Sequence, residues 1–353
     1  MTPRLVVKDI HAKSSASKLI ALQNDIRQLK EDLTRTRSLV GDLKDEIGEK
    51  DRQLNLVSAL SGNINPMAVK PLAKNAVGEA VACGIFSDFH AFERVFPEQT
   101  AGRNIYNRSI ARADGEEFFR ACLKWTVIHR AGTAIPQFML VLAGDLITNM
   151  LHLDQIETNE GTPQEEILFV LSVLSGGINF LLDNGGFEKL HVVCCDGNHG
   201  RDTEKMRIKN RAIHSHEWLV YQLLARMFSD DERISFSIAQ GPQIFVPVFD
   251  KTIRVHHGDL FKFEGGVGGI TIPIRKQINE WNKARWADLD IFGHWHTTIF
   301  DNQFVSNGSV MGYSEFSVFK KLSYEPPQQS FVLFDKKRWI TSFNRILFAP
   351  RCQ

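Results

Sequence analysis

Residues 189–200 read KLHVVCCDGNHG: an apolar run from Leu190 to Cys195 passes into a polar turn carrying Asn198 and His199. The same transition recurs in VACGIFSDFH (81–90), FMLVLAGD (138–145), TIRVHHGD (252–259) and DLDIFGHWH (288–296). Runs of four to eight mostly apolar residues, bounded by turn residues, predict strands buried on both faces. Between them, EEFFRACLKWTVIHR (116–130), EEILFVLSVLSGGINFLLD (165–183) and HEWLVYQLLARMF (216–228) read as helices, and ISFSI (234–238) and QIFVPVFD (243–250) as further strands. This alternation predicts an α/β domain. In open α/β sheets ligands bind beyond the C-terminal ends of the strands, which is where these polar motifs stand.

The motifs supply Asp88, His90, Asp145, Asn198, His199, His256, His257, His294 and His296. Carboxylate, amide and imidazole donors together suit divalent transition metals. The absence of thiolates among them argues against a closed structural zinc site. In Asp88-x-His90 and His294-x-His296 the alternate positions share one face of an extended segment, so each pair can reach one metal.

In order along the chain, SDFH, GDLI, GNHG, HHG and GHWH follow the signature D-x-H, G-D, G-N-H-[D/E], H and G-H-x-H at every position but the last of the third motif. In this the sequence resembles the calcineurin-like metallophosphoesterases over about residues 81–335. The resemblance implies a two-layered β-sandwich flanked by helices, with a dinuclear metal centre at the sheet ends. One metal would take Asp88, His90 and His296, the other Asn198, His257 and His294, and Asp145 would bridge them. The resemblance prefers His257 to His256, because the family's ligand usually stands directly before a glycine, here Gly258; strand alternation then points His256 away as a packed or surface residue. His199 would protonate the leaving oxygen or stabilise the transition state. Two divalent ions about 3.5–4 Å apart activate water and neutralise charge in in-line displacement. Mn2+ is the favoured pair, with Fe or Zn as alternatives.

One position departs from the pattern. Gly200 stands where the family usually has an acid that orients the catalytic histidine, and Asp202 is a candidate substitute. The second motif also lacks the arginine of the Ser/Thr protein phosphatases, which disfavours that branch. The GDL and GHWH forms look closer to the phosphodiesterase and nuclease branches. Arg201, Lys205 and Arg207, followed by Lys209 and Arg211, are candidate substrate-binding residues for a phosphate backbone, or else a solvated helix face. The segment 91–137, with Arg103, Tyr106, Arg108, Arg112 and Phe118, is a candidate recognition element, and Gly265–Gly269 reads as a lid or turn. The favoured function is a metal-dependent DNA nuclease. The alternatives are a phosphomonoesterase or cyclic-nucleotide phosphodiesterase, and a non-catalytic assembly protein on the same fold.

Upstream the chain has another character. Leu19, Leu22, Ile26, Leu29, Leu33, Val40, Leu43, Ile47, Leu54 and Val57 fall at heptad positions a and d, broken only by Thr36 and Lys50. This predicts a coiled coil over residues 19–57. Asp25 and Asp32 at g face Lys30 and Arg37 at e of a parallel partner, so self-association in parallel register is expected, as a dimer or a larger bundle. A single amphipathic helix packed on the body is the competing reading. The expected organisation is a coiled-coil segment (1–60), a linker (61–80) and a catalytic domain (81–353).

Of 353 residues, 42 are basic and 41 acidic. Residues 1–60 carry 11 basic and 9 acidic side chains and the remainder 31 and 32, so no strongly basic domain is concealed. Binding to nucleic acid through a global positive field is therefore excluded, while a local basic site is not. Cys83, Cys122, Cys194, Cys195 and Cys352 show no C-x-x-C spacing, which suggests a reducing compartment. With no signal-peptide pattern and no long uninterrupted apolar run, a cytoplasmic protein without a membrane span is expected.

Overall fold

The computed structural model describes residues 4–60, 78–263 and 269–351, and the chain divides into two units, Met1–Ile64 and Asn65–Gln353. The first unit is α1 (Arg4–Leu60), a single helix of 57 residues and about 85 Å at 1.5 Å per residue. No proline interrupts it, and it begins well before Leu19. The seam residues Leu19 to Ile47 are exposed along the helix.

In the second unit the chain runs through β1 (Glu79–Phe86), α2 (Arg108–Arg130), β2 (Ala134–Leu142), α3 (Leu153–Thr158), α4 (Pro163–Asn184), β3 (Lys189–Cys194), α5 (His216–Met227) and β4 (Ile234–Ile238). It continues through β5 (Gln243–Val248), β6 (Lys251–His256), α6 (Thr271–Ala284), β7 (Leu289–Phe292), β8 (Ile299–Phe300), β9 (Phe304–Ser306), α7 (Glu315–Lys320), β10 (Gln328–Asp335) and β11 (Trp339–Leu347). β1 starts inside the expected linker, because Ala80 already pairs with Asp335 of β10. The rest of that linker, residues 61–77, lies outside the described residues, as does Gly265–Gly268 of the glycine-rich stretch.

Two sheets form. One has the order β11-β10-β1-β2-β3-β4, the other β5-β6-β7-β9-β8. β1 to β4 are mutually parallel, and so are β6, β7 and β9, so both sheets direct C-terminal strand ends at the loops that carry the polar motifs. The sheets share one apolar core: Cys83, Ile85, Met139, Val141 and Val193 of the first pack with Val246, Ile253, Val255, Leu289, Ile291 and Val305 of the second. α6 closes a second cluster, with Ile274 and Ile278 against Phe292 and Phe304. An aromatic cluster of Phe86, Phe89, Phe118 and Phe119 joins β1 to α2. The fold is thus the expected α/β arrangement of two sheets flanked by helices, with a helix preceding it.

α4 has the length and apolarity of a membrane span, yet 78% of its most apolar window is buried within the body. It starts with a capping box, Thr162 accepting from the Glu165 N–H while Glu165 accepts from that of Thr162, and Pro163 occupies the first turn. α2 and α4 approach closely because Gly177 has no side chain: a Cβ there would lie 2.0 Å from the Phe119 ring. Gly177→Ala is therefore expected to lower stability by about 1–3 kcal/mol, despite the better helix propensity of alanine. Denaturant titration checks this; an unchanged midpoint would contradict the packing.

Candidate metal centre

The strand ends of both sheets converge. β1 leads into Asp88 and His90, β2 into Asp145, β3 into Asn198 and His199, β6 into His257, and β7 into His294 and His296. The turns are sewn together by main-chain bonds: Asp88 N–H donates to Gly144 O (3.0 Å), His90 N–H to Asp145 O (3.1 Å) and Gly293 N–H to His257 O (2.9 Å). The two sheets are joined where His294 N–H donates to Asp88 Oδ1 at 2.9 Å. Asp88, His90, Asp145, His294 and His296 all adopt left-handed backbone, with φ between 43° and 68°. Such conformations cost a non-glycine residue about 1 kcal/mol or more and cluster at functional sites.

Two groups of donors result. Ligand atoms of Asp88, His90 and His296 lie within 4.8 Å of one another, and so do those of Asp145, His257 and His294. Asn198 belongs with the second group, its Oδ1 being 3.1 Å from His257 Nε2. His257 Nε2 is 2.9 Å from Asp145 Oδ2, and His296 Nε2 is 3.3 Å from Asp88 Oδ1. Gly197 and Gly293 permit this crowding, since a Cβ at either would lie 2.1–2.2 Å from a carboxylate oxygen of Asp145 or Asp88.

The electrostatics are those of a site built for cations. Burial would raise both aspartates, but the facing imidazoles outweigh it and hold Asp88 below, and Asp145 well below, the usual carboxylate range. Burial lowers His257, yet Asp145 outweighs it and lifts the ring to about 10. His90 is pushed down to about 3, above all by burial. His294 is lowered to about 4 by burial and by His257. His90 is therefore a neutral imidazole, and among the described residues neither of its ring nitrogens has a hydrogen-bond partner although both are buried. A free lone pair facing a carboxylate and a second imidazole is what a metal ligand requires, and the donor set fits a divalent transition metal.

His256 turns away, as its alternate strand position implies. It packs among Phe261, Trp281 and Phe292, with Nε2 3.2 Å from Asp290, which also binds the buried Arg254. His199 stands at the cage edge, its ring centroid 4.7 Å from that of His90 and its backbone N–H donating to Asp145 Oδ1 at 2.7 Å.

Other expected residues take different places. Asp202 does not serve His199: it pairs at 3.0 Å with the partly exposed His214. Arg201 is taken up by its own loop, donating to the carbonyls of Asn198, Thr203 and Glu204. Lys205, Arg207 and Lys209 are exposed on an irregular loop rather than a helix face. Arg211 is buried between Asp196 and Asp259. Within 91–137, Tyr106 and Phe118 are core residues, and the Tyr106 hydroxyl donates to Phe89 O at 2.6 Å. Arg103, Arg108 and Arg112 lie over the rings of Tyr324, Phe92 and Phe169.

Two buried carboxylates brace the site from beneath. Glu217 accepts the N–H groups of Leu146 and Gly197, tying the Asp145 turn to the Asn198 turn. Burial, reinforced by Asp145, raises it to about 8. Glu166 accepts from Phe92, Thr148 and Asn149. Glu217 also explains Gly200, where a Cβ would lie 2.8 Å from Glu217 Cγ. In sequence, Glu217 and Glu166 stand on the apolar faces of their helices, at spacing i, i+3, i+4, i+7 with Val220, Tyr221 and Leu224 and with Phe169, Val170 and Val173. That misplaced charge was the signal by which they were findable.

No family model matches the chain, and neither does any curated protein. Solved structures similar to it include YfcE, a phosphoesterase from E. coli (14% identity, 75% of this chain and 99% of that one, TM-score 0.31). A predicted phosphoesterase from Streptococcus pneumoniae TIGR4 is 10% identical (75% and 95% covered, TM-score 0.29). Vacuolar Protein Sorting 29 from Cryptosporidium parvum is 12% identical (76% and 98% covered, TM-score 0.30). At such scores likeness assigns no chemistry, and the functional reading rests on the site itself.

Glu217→Leu leaves the N–H groups of Leu146, Ile147 and Gly197 without this acceptor and is expected to lower stability by about 2–4 kcal/mol. Asp202→Ala, at an exposed pair, should stay within about 0.5 kcal/mol. Thermal unfolding of the two variants checks the contrast; equal effects would contradict the bracing role.

Proposed function

We propose that the chain is a metal-dependent phosphoesterase of the calcineurin-like kind, acting as a phosphodiesterase on a nucleic-acid backbone, DNA in particular. The observation that supports this most is the convergence of two metal-competent donor groups beside one further histidine, His199, at the edge of the cage. Asp88, His90 and His296 would hold one ion, Asn198, His257 and His294 the other, and Asp145 both; the donors suit Mn2+, with Fe or Zn as alternatives. Such a pair, when bound, supplies Lewis acidity and a water that ionises near neutral pH. The protein's own groups do the rest. Ser87 Oγ donates to Asp88 Oδ2 at 2.5 Å, turning the carboxylate into the cage. His257 Nδ1 is bonded to Ala143 O at 2.8 Å, which leaves its Nε2 as the ligand atom. His199 is not needed as a ligand and presents its outer nitrogen to the leaving oxygen.

The DNA reading is supported by the loop that leaves His199, where Lys205, Arg207 and Lys209 are exposed and suited to backbone phosphates. With Mn2+ the protein is expected to cleave bis-p-nitrophenyl phosphate and linear DNA. His199→Ala should lower kcat about 10²–10⁴-fold while retaining both metals. Turnover confined to monoesters or cyclic nucleotides would replace the nuclease by a small-molecule esterase. No turnover with any metal, despite two bound ions, would favour an assembly role.

We also propose that α1 pairs in parallel with a second copy of this chain. Leu19, Leu22, Ile26, Leu29, Leu33, Val40, Leu43 and Ile47 leave an apolar stripe open to solvent, flanked by the complementary g and e charges Asp25, Lys30, Asp32 and Arg37. Deleting residues 1–60 should reduce the mass found by light scattering to that of a monomer. An unchanged mass would overturn the pairing.

A further inference from the structure

We propose that Gln155 is the positioning residue of His199, holding Nδ1 as a hydrogen-bond acceptor so that the ring hydrogen lies on Nε2, the nitrogen turned to substrate. Gln155 lies on α3, in a stretch (HLDQIETNE) with no sequence signal of a role. Its side chain is buried. Oε1 accepts from the backbone N–H groups of Leu151 (3.0 Å) and His152 (3.1 Å). Two donors on one oxygen fix which end of the amide is which, so Nε2 can present only hydrogen to whatever it faces. It faces His199 Nδ1 at 3.0 Å.

Nδ1 also lies 3.1 Å from the carbonyl oxygen of Thr148, so a donor and an acceptor compete for it. If Nδ1 carried hydrogen, the pinned amide N–H would meet another N–H and stay unsatisfied in a buried place. If Nδ1 is bare, the amide bond is made and the Thr148 carbonyl oxygen goes without a donor from the ring. Orphaned buried N–H groups are rarer than under-used carbonyls, so the bare Nδ1 prevails. The partner of one ring nitrogen sets the state of the other, and Nε2 then bears the hydrogen.

Gln155 thus stands where an acid at position 200 would otherwise act. That position is closed by Glu217, and Asp202 is engaged with His214. The substitution is not neutral chemically. A carboxylate would accept from Nδ1–H, whereas the amide donates to Nδ1. His199 is therefore set as a hydrogen-bond donor towards the phosphoryl group or the leaving oxygen. That consequence for turnover rests on the phosphoesterase reading, while the tautomer does not.

The test uses Gln155→Glu, which keeps an acceptor for Leu151 and His152 and puts a carboxylate oxygen in place of the amide donor that faces Nδ1. Nitrogen-15 NMR of histidine-labelled full-length protein, metal-free and Zn2+-loaded, locates the proton, with His199→Ala identifying the signal. The wild type should show a bare Nδ1 and a protonated Nε2, and the variant a protonated Nδ1. In bis-p-nitrophenyl phosphate hydrolysis the variant should lose roughly 10–100-fold in kcat at unchanged KM. A wild-type signal with hydrogen on Nδ1, or a variant with the wild-type pattern, would overturn the proposal. If neither protein turns over substrate but the NMR exchange of tautomers is seen, the positioning role stands and the phosphoesterase reading fails.

Discussion

The structure depends on holding two carboxylates, Asp88 and Asp145, in the dry junction where the strand ends of two sheets meet. Both are essentially inaccessible to water. A buried anion is tolerated only when it is paired and hydrogen-bonded. Here the compensation comes from imidazoles on the opposite sheet, His296 for Asp88 and His257 for Asp145, together with main-chain N–H groups from His294 and His199. Each sheet supplies charge that the other neutralises. The left-handed turns, the glycines at 197 and 293 and the inter-sheet core all serve that meeting.

The surroundings of His199 follow from the same crowding. Glu217 enters from α5 to satisfy the N–H groups of the Asp145 and Asn198 turns. Its side chain fills the space a residue at position 200 would need, so that position is glycine. An acid next in chain to His199 is thereby excluded, and the ring faces the Gln155 amide instead. A change in local sequence pattern is thus the surface trace of a different buried carboxylate.

Much of this was legible in the sequence, for physical reasons. Strands buried on both faces are continuous apolar runs, and VACGIF, FMLVLAG and KLHVVC became β1, β2 and β3 near the positions where those runs fall. Polar residues placed after such runs could be assigned to one end of the fold before any geometry was known. The turning away of His256 followed from strand alternation. Side-chain roles set by distant partners were not legible. Arg201 resembled a phosphate grip but braces its own loop, and Asp202 was close to His199 in sequence but faces His214. Gln155 left no trace, because an amide in a polar turn is ordinary until its orientation is known. Glu217 and Glu166 were findable as charges on apolar helix faces.

The central claim is that these donors form a cage for two metal ions. Anomalous X-ray diffraction from crystals soaked in Mn2+ tests it directly. The account predicts two peaks, one among Asp88, His90 and His296 and one among Asn198, His257 and His294. No peak within the cage, or peaks only at surface carboxylates, would contradict it.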